Sequence, residues 1–250
     1  MKTSVTAGII VLILAIAAIG GYYYKTQNPS KTVLVVGTNI PFPPLEYEEN
    51  GVVTGFDIEI IRALAQRAGY KDIQIKVMTF ESLMTNLQQG KIDVVAAGMT
   101  RTPERAEKVA FTQSYLQANQ SILVRQDTFN PHGMEDLSGM EIGVQNGTTG
   151  ETLADEYKAT LKEIRRYDSF LLAVLDLQNG RIEAVIVDSP SAMYYSKQYP
   201  VKVASTITTG EEYCFAVRKE DTTLLASLNE ALQRFKGSPE WNALVDKYFG

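Results

Sequence analysis

Beyond residue 31 the sequence predicts an α/β fold of two similar units, each a mixed, mostly parallel sheet flanked by helices. Two observations predict it. Short β-branched runs alternate with stretches of helical periodicity, and that alternation is set out twice along the chain. In the first set, residues 32–37 read as a buried strand closed by Gly37. Phe56, Ile60, Ile61, Leu64, Ala65 and Ala68 then recur at helical spacing up to Gly69, and Ile73, Ile75 and Val77 alternate as in a strand. Leu83 and Leu87 mark a helix closed by Gly90, and residues 92–97 form a third strand. In the second set, strands are expected at 142–144, 162–167, 182–187 and 213–217, and helices at 148–157, 169–178, 224–235 and 241–248. A cleft between two such units is the default place for a small ligand.

Composition removes several classes of function. The 250 residues carry 24 Lys and Arg against 29 Asp and Glu, and this acidic balance argues against nucleic acid as a partner. A single cysteine, Cys214, forbids an internal disulfide or a cysteine metal cage. A single histidine, His132, leaves no His-rich metal site and makes a Ser-His-Asp triad a poor fit. No cofactor or metal is expected.

Residues 3–24 hold no charged side chain, and as a helix they would extend about 33 Å, enough to cross a bilayer. Tyr22, Tyr23, Tyr24 and Lys25 suit the interface at one end. The expectation is an uncleaved membrane anchor over residues 1–25 with a polar linker at 26–31. Cleavage near the small residues Ala15 and Ala17 is the alternative. Either way the remainder is extracytoplasmic.

Four segments carry chemistry. The run from Asn39 to Tyr47 follows the first strand, is stiffened by Pro41, Pro43 and Pro44, and displays Phe42 where open α/β sheets bind ligands. Phe42 is read equally well as a core-covering residue. Phe80 stands in a similar place after the second strand. The stretch from Ala97 to Arg105 combines the close-approach residue Gly98, the hydroxyls of Thr100 and Thr102, and Pro103 at a helix start; Arg101 and Arg105 are both able to grip a carboxylate in bidentate fashion. Asp188 ends an apolar strand before Ser189-Pro190, as a helix cap or as a carboxylate that receives an ammonium. Gln145 to Gly150 follows a strand and opens a helix, so that Thr148 is either an anion contact or a plain cap.

In their order and spacing these segments, with Gly55-Phe56-Asp57, the run from Phe111 to Tyr115, the run from Ala184 to Pro190 and the ending Lys247 to Gly250, resemble the polar amino-acid-binding proteins of ABC importers, the solute-binding family 3 group. The resemblance implies a two-lobed clamp of the type II periplasmic-binding-protein class, with lobe one at 32–116 and 214–250, lobe two at 117–213, and crossovers near 115–119 and 211–215. By position it implies that Arg105 and Thr100 hold a ligand α-carboxylate, joined by Thr148 from the second lobe. Asp188 and the backbone at Gly98 then take the α-ammonium, and Phe42 and Phe80 sandwich the side chain. Arg101 reverts to the surface. Where relatives that bind cationic amino acids often place an acid, this chain has Asn39; with Gln145 it favours a neutral side chain such as that of glutamine, while arginine stays open. The stretch from Glu46 to Glu49 reads as rim. The partners implied are a free polar amino acid and a permease–ATPase complex, with the chain itself a monomer. A sensing module acting through a separate receptor is one alternative. A cyclohexadienyl-dehydratase-like enzyme is another, disfavoured because amides stand where a general acid is wanted.

Overall fold

The computed structural model describes residues 32–250, so the expected anchor and linker lie outside the described residues. The first strand, β1 (Val33–Thr38), places Leu34 and Val36 at zero exposure and pairs in parallel with β4 (Asp72–Val77) and β5 (Val94–Val95). A small antiparallel hairpin, β2 (Tyr47–Glu49) and β3 (Val52–Thr54), leads into α1 (Phe56–Arg67). That helix buries Phe56, Ile60, Ile61 and Leu64, a single stripe at helical spacing. Phe56 packs edge-on to Trp241, Tyr248 and Phe249 of the closing helix α8 (Pro239–Phe249), which ties the chain's end to its first lobe.

The first sheet has the order β4-β1-β5-β12-β6, completed by β6 (Ala110–Phe111) and by β12 (Ala216–Val217), which runs antiparallel to both of its neighbours. The second has the order β11-β7-β10-β8-β9. In it β8 (Glu141–Gln145) is parallel to β9 (Glu163–Tyr167) and to β10 (Ala184–Asp188), while β7 (Leu116–Arg125) runs antiparallel to β10 and β11 (Val201–Tyr213). The fold is therefore the two-sheet α/β clamp. The chain leaves the first sheet along β7 and returns along β11, and the Tyr115 N–H donates to the Tyr213 carbonyl (3.0 Å) where the two crossings lie side by side.

The expected strand at 92–97 shrinks to two residues, because the backbone turns away from β1 toward Gly98, which has φ 54°. The strand expected at 213–217 is divided: Tyr213 closes β11, and only Ala216 and Val217 pair in the first sheet. Helices α2 (Leu83–Gln88), α3 (Pro103–Lys108) and α7 (Thr222–Phe235) flank the first sheet, and α4 (Thr149–Glu156), α5 (Phe170–Gln178) and α6 (Ser189–Gln198) follow strands of the second. The carboxyl ends of β1, β5, β8 and β10 consequently meet at one place, where a doubly wound sheet binds its ligand.

Candidate ligand cleft

All nine candidate residues line one narrow cavity: Asn39, Phe42, Phe80, Gly98, Thr100 and Arg105 from the first lobe, and Gln145, Thr148 and Asp188 from the second. The two lobes touch across it. Gln145 donates to the Asn39 side-chain oxygen (2.7 Å), the Arg105 guanidinium to the Gly147 carbonyl (2.9 Å), and the Ser191 hydroxyl to the Pro43 carbonyl (2.7 Å).

The proline loop folds into a tight turn in which the Phe42 N–H donates to the Glu46 carbonyl (2.7 Å) and the Glu46 N–H to the Phe42 carbonyl (3.1 Å). The Asp57 N–H then donates to the Leu45 carbonyl (3.0 Å), fastening the turn to the start of α1. Both readings of Phe42 hold, since its ring is 5% exposed in the main core and also forms a cavity wall. Its stacking partner is Phe170 of the second lobe, at 5.4 Å between centroids. Phe80 lies under the Arg105 guanidinium, 5.4 Å from its centroid. Phe170, the first residue of α5 and not among the candidates read from the sequence, thus lines the cavity as well.

Arg105 is anchored by donation to the Thr100 carbonyl (2.7 Å), while Arg101 pairs with Glu212 at the surface. Burial lowers the Arg105 pKa, and the charges of Asp188 and Glu211 hold it up. Asp188 sits at the N-cap position of α6 but makes no capping bond. Its carboxylate instead accepts from the Gln120 amide. Burial, then the charge of Glu211, pushes the Asp188 pKa up to about 7. Thr148 does cap: its oxygen accepts from the Glu151 N–H (3.2 Å) and its hydroxyl donates to the Gln145 carbonyl (2.7 Å).

Glu46 departs furthest from expectation. It is not rim but has zero exposure, lines the cavity, and neither carboxylate oxygen has a hydrogen-bond partner. Burial, followed by the charges of Asp57 and Asp188, raises its pKa well above the carboxylate range. Asp57 lies behind it, taking the Gly98 N–H (2.8 Å) and the Tyr115 hydroxyl (2.5 Å), and burial carries its pKa to about 7. Three acids thus press on a cavity whose lining offers one cation, Arg105. Glu46 thus places a buried carboxyl of raised pKa in the cleft beside the amides of Asn39 and Gln145.

A model of the bacterial extracellular solute-binding proteins, family 3, matches residues 34–250. The chain belongs to this family. The arginine-binding extracellular protein ArtP of Bacillus subtilis is 31% identical over 233 residues, which cover 89% of this chain and 88% of that protein. Among solved structures, an ancestral arginine-binding protein bound to arginine superposes with a TM-score of 0.84 at 38% identity, over 88% of this chain and 99% of its own. An ancestral arginine-binding protein bound to glutamine gives a TM-score of 0.83 at 38% identity, over 88% and 98% of the two chains.

Two predictions arise from the geometry of this family member. A Cβ added at Gly98 would stand 2.7 Å from the Phe42 ring, on a backbone with positive φ. Gly98→Ala is therefore expected to cost about 1–3 kcal/mol of stability and to weaken ligand binding tenfold or more as the ring is driven into the cavity. Urea denaturation and calorimetric titration of the variant check both numbers. The second concerns pH. Asp57 and Asp188 hold protons in the folded protein up to about pH 7 that the unfolded chain has released near pH 4, and Glu46, its pKa also raised by burial, acts in the same sense. Stability of the protein alone should therefore fall as pH rises from about 5 through about 7, by roughly 1.4 kcal/mol per pH unit for each group. Glu59, whose pKa Lys247 and Tyr248 draw down against burial, acts in the opposite sense, but only in more acid solution. Denaturant midpoints at pH 5, 6 and 7 read the slope.

Proposed function

We propose that this chain is the extracytoplasmic solute-binding component of an ABC-type amino-acid importer and that its cargo is a basic amino acid, arginine before glutamine. The observation that carries the reading is the buried, unpartnered Glu46 carboxylate in the same cavity as Arg105 and Asp188. Arg105 matches an α-carboxylate, Asp188 an α-ammonium, and Glu46 a second cation on the side chain. Unpartnered, the buried Glu46 carboxyl is held toward its neutral form, and a guanidinium brings the charge and the paired N–H groups that would ionise it.

The case for a neutral side chain rested on Asn39 and Gln145. Their amides are largely spent on protein: Gln145 donates to Asn39 and to the Asp168 carbonyl (3.0 Å), and Asn39 donates to the Met78 carbonyl (2.8 Å). The arginine-binding relatives support the basic assignment, and the glutamine-bound ancestral protein keeps glutamine as the second ligand to test. In this reading the lobes divide at 32–116, 117–213 and 214–250, the chain acts as a monomer, residues 1–25 tether it to the membrane, and a permease–ATPase complex receives the cargo.

A thermal-shift screen of refolded protein against the twenty amino acids tests the reading. At one hundred times Kd a ligand stabilises by about 2.7 kcal/mol, a shift of roughly 5–11 °C for a domain of this size. Arginine alone or with few others giving that shift supports the proposal; a flat panel overturns it. Because Glu46 has the chemistry of a general acid, prephenate and arogenate belong in the same screen with product analysis. Turnover proportional to protein concentration would replace binding by elimination.

A further inference from the structure

Glu211 lies near the end of β11, on the returning crossover, and is 7% exposed. Its carboxylate gathers donors from both lobes: the Thr100 hydroxyl at 2.5 Å, the Thr149 hydroxyl at 2.7 Å, the Gln120 amide at 2.8 Å and the Thr209 hydroxyl at 3.1 Å. The same Gln120 amide donates to Asp188. Thr100, Thr149 and Asp188 all line the cavity, so one buried carboxylate organises the polar groups around the place assigned to the α-ammonium.

A carboxylate oxygen accepts, and a threonine hydroxyl has one proton to give. With that proton committed to Glu211, Thr100 and Thr149 have only lone pairs left to offer a ligand, and one of those on Thr149 meets the Gln120 amide at 3.3 Å. Lone pairs welcome an ammonium and repel a carboxylate. Gly98 lines the same cavity with its N–H held by Asp57, so its backbone offers no donor there. We propose that Glu211 is a positioning residue that fixes the hydroxyls of Thr100 and Thr149 as acceptors, and that this polarity makes the cleft demand an α-amino group. The proposal rests on the amino-acid reading above. It moves the Thr100 hydroxyl from the carboxylate end of the ligand, where the resemblance put it, to the ammonium end. Arg105 is left to hold the carboxylate.

The test compares the full chain with its Glu211→Gln variant by calorimetric titration, using L-arginine and 5-guanidinopentanoate, which lacks only the α-amino group. L-glutamine and its des-amino counterpart form a second pair. A glutamine side chain at 211 must itself donate from its amide nitrogen, which frees a threonine proton to point into the cavity. The variant should lose tenfold or more in affinity for the amino acid and threefold or less for the des-amino compound, so that discrimination between them collapses. Equal losses for both compounds show a merely structural role and overturn the proposal, as does unchanged discrimination. Thr100→Val, which deletes one acceptor and leaves Glu211 in place, should reproduce the selective loss and decides the matter if Glu211→Gln does not fold. A wild-type chain that binds neither amino acid overturns the reading of the cleft itself, and with it this inference.

Discussion

Glu46→Gln is expected to lower affinity for arginine by roughly 30-fold or more while leaving affinity for glutamine within about threefold. Removing one partner of a buried charge pair costs about 2–5 kcal/mol, chiefly because the other charge is then left unpaired in a desolvated site. The amide keeps the size of the side chain and can still serve a neutral ligand, so the two amino acids should separate. Calorimetric titration of both ligands into both proteins reads the difference. A parallel loss for arginine and glutamine would mean that Glu46 shapes the turn from Phe42 to Glu46 rather than meeting the ligand.

Asp188→Asn should produce two effects of opposite sign. The α-ammonium loses its counter-charge, with an affinity loss of the same order, about 2–5 kcal/mol. The protein alone should gain roughly 1–3 kcal/mol above pH 7, where Asp188 would otherwise be ionised beside Glu211 with burial already opposing its charge. Asparagine retains an oxygen for the Gln120 amide, so the local packing has no reason to collapse. Thermal melts at pH 8 with and without ligand check the pair. A variant that melts earlier than wild type at that pH contradicts the electrostatic account, because the carboxylate would then be stabilising the unliganded clamp.

Regular elements and cleft geometry were legible in the sequence to different degrees. Strands such as β1 and β10 bury both faces, so their unbroken Val and Ile runs announce them. The crossing strands β7 and β11 carry Gln117, Asn119 and Gln120, or Thr206, Thr208, Thr209 and Glu211, and run through polar surroundings at the hinge. Apart from Ile122, Leu123 and Val124 at the far end of β7 no apolar run marks them, and a register shift between Ile207 and Glu211 blurs β11 further. The candidate residues converge because each follows a strand's carboxyl end, a placement readable from the order of elements alone.

Glu46 was hidden for a different reason. The run from Glu46 to Glu49 has the composition of a solvated edge, and Glu48 and Glu49 do face solvent on β2. Only the turn closed by Phe42, held to α1 through Leu45, carries Glu46 inward. Its one sequence signal was position, directly after three prolines and an aromatic already suspected of facing a ligand. Glu211 was equally silent, since three of its four donors come from distant segments and leave no local pattern.

The most direct test of the central claim is an experimental structure of the protein crystallised with L-arginine. The account predicts the α-carboxylate on Arg105, the α-ammonium on Asp188 and the guanidinium within about 3 Å of the Glu46 carboxylate. A ligand seated with its guanidinium directed away from Glu46, or arginine found outside the cavity altogether, would contradict it.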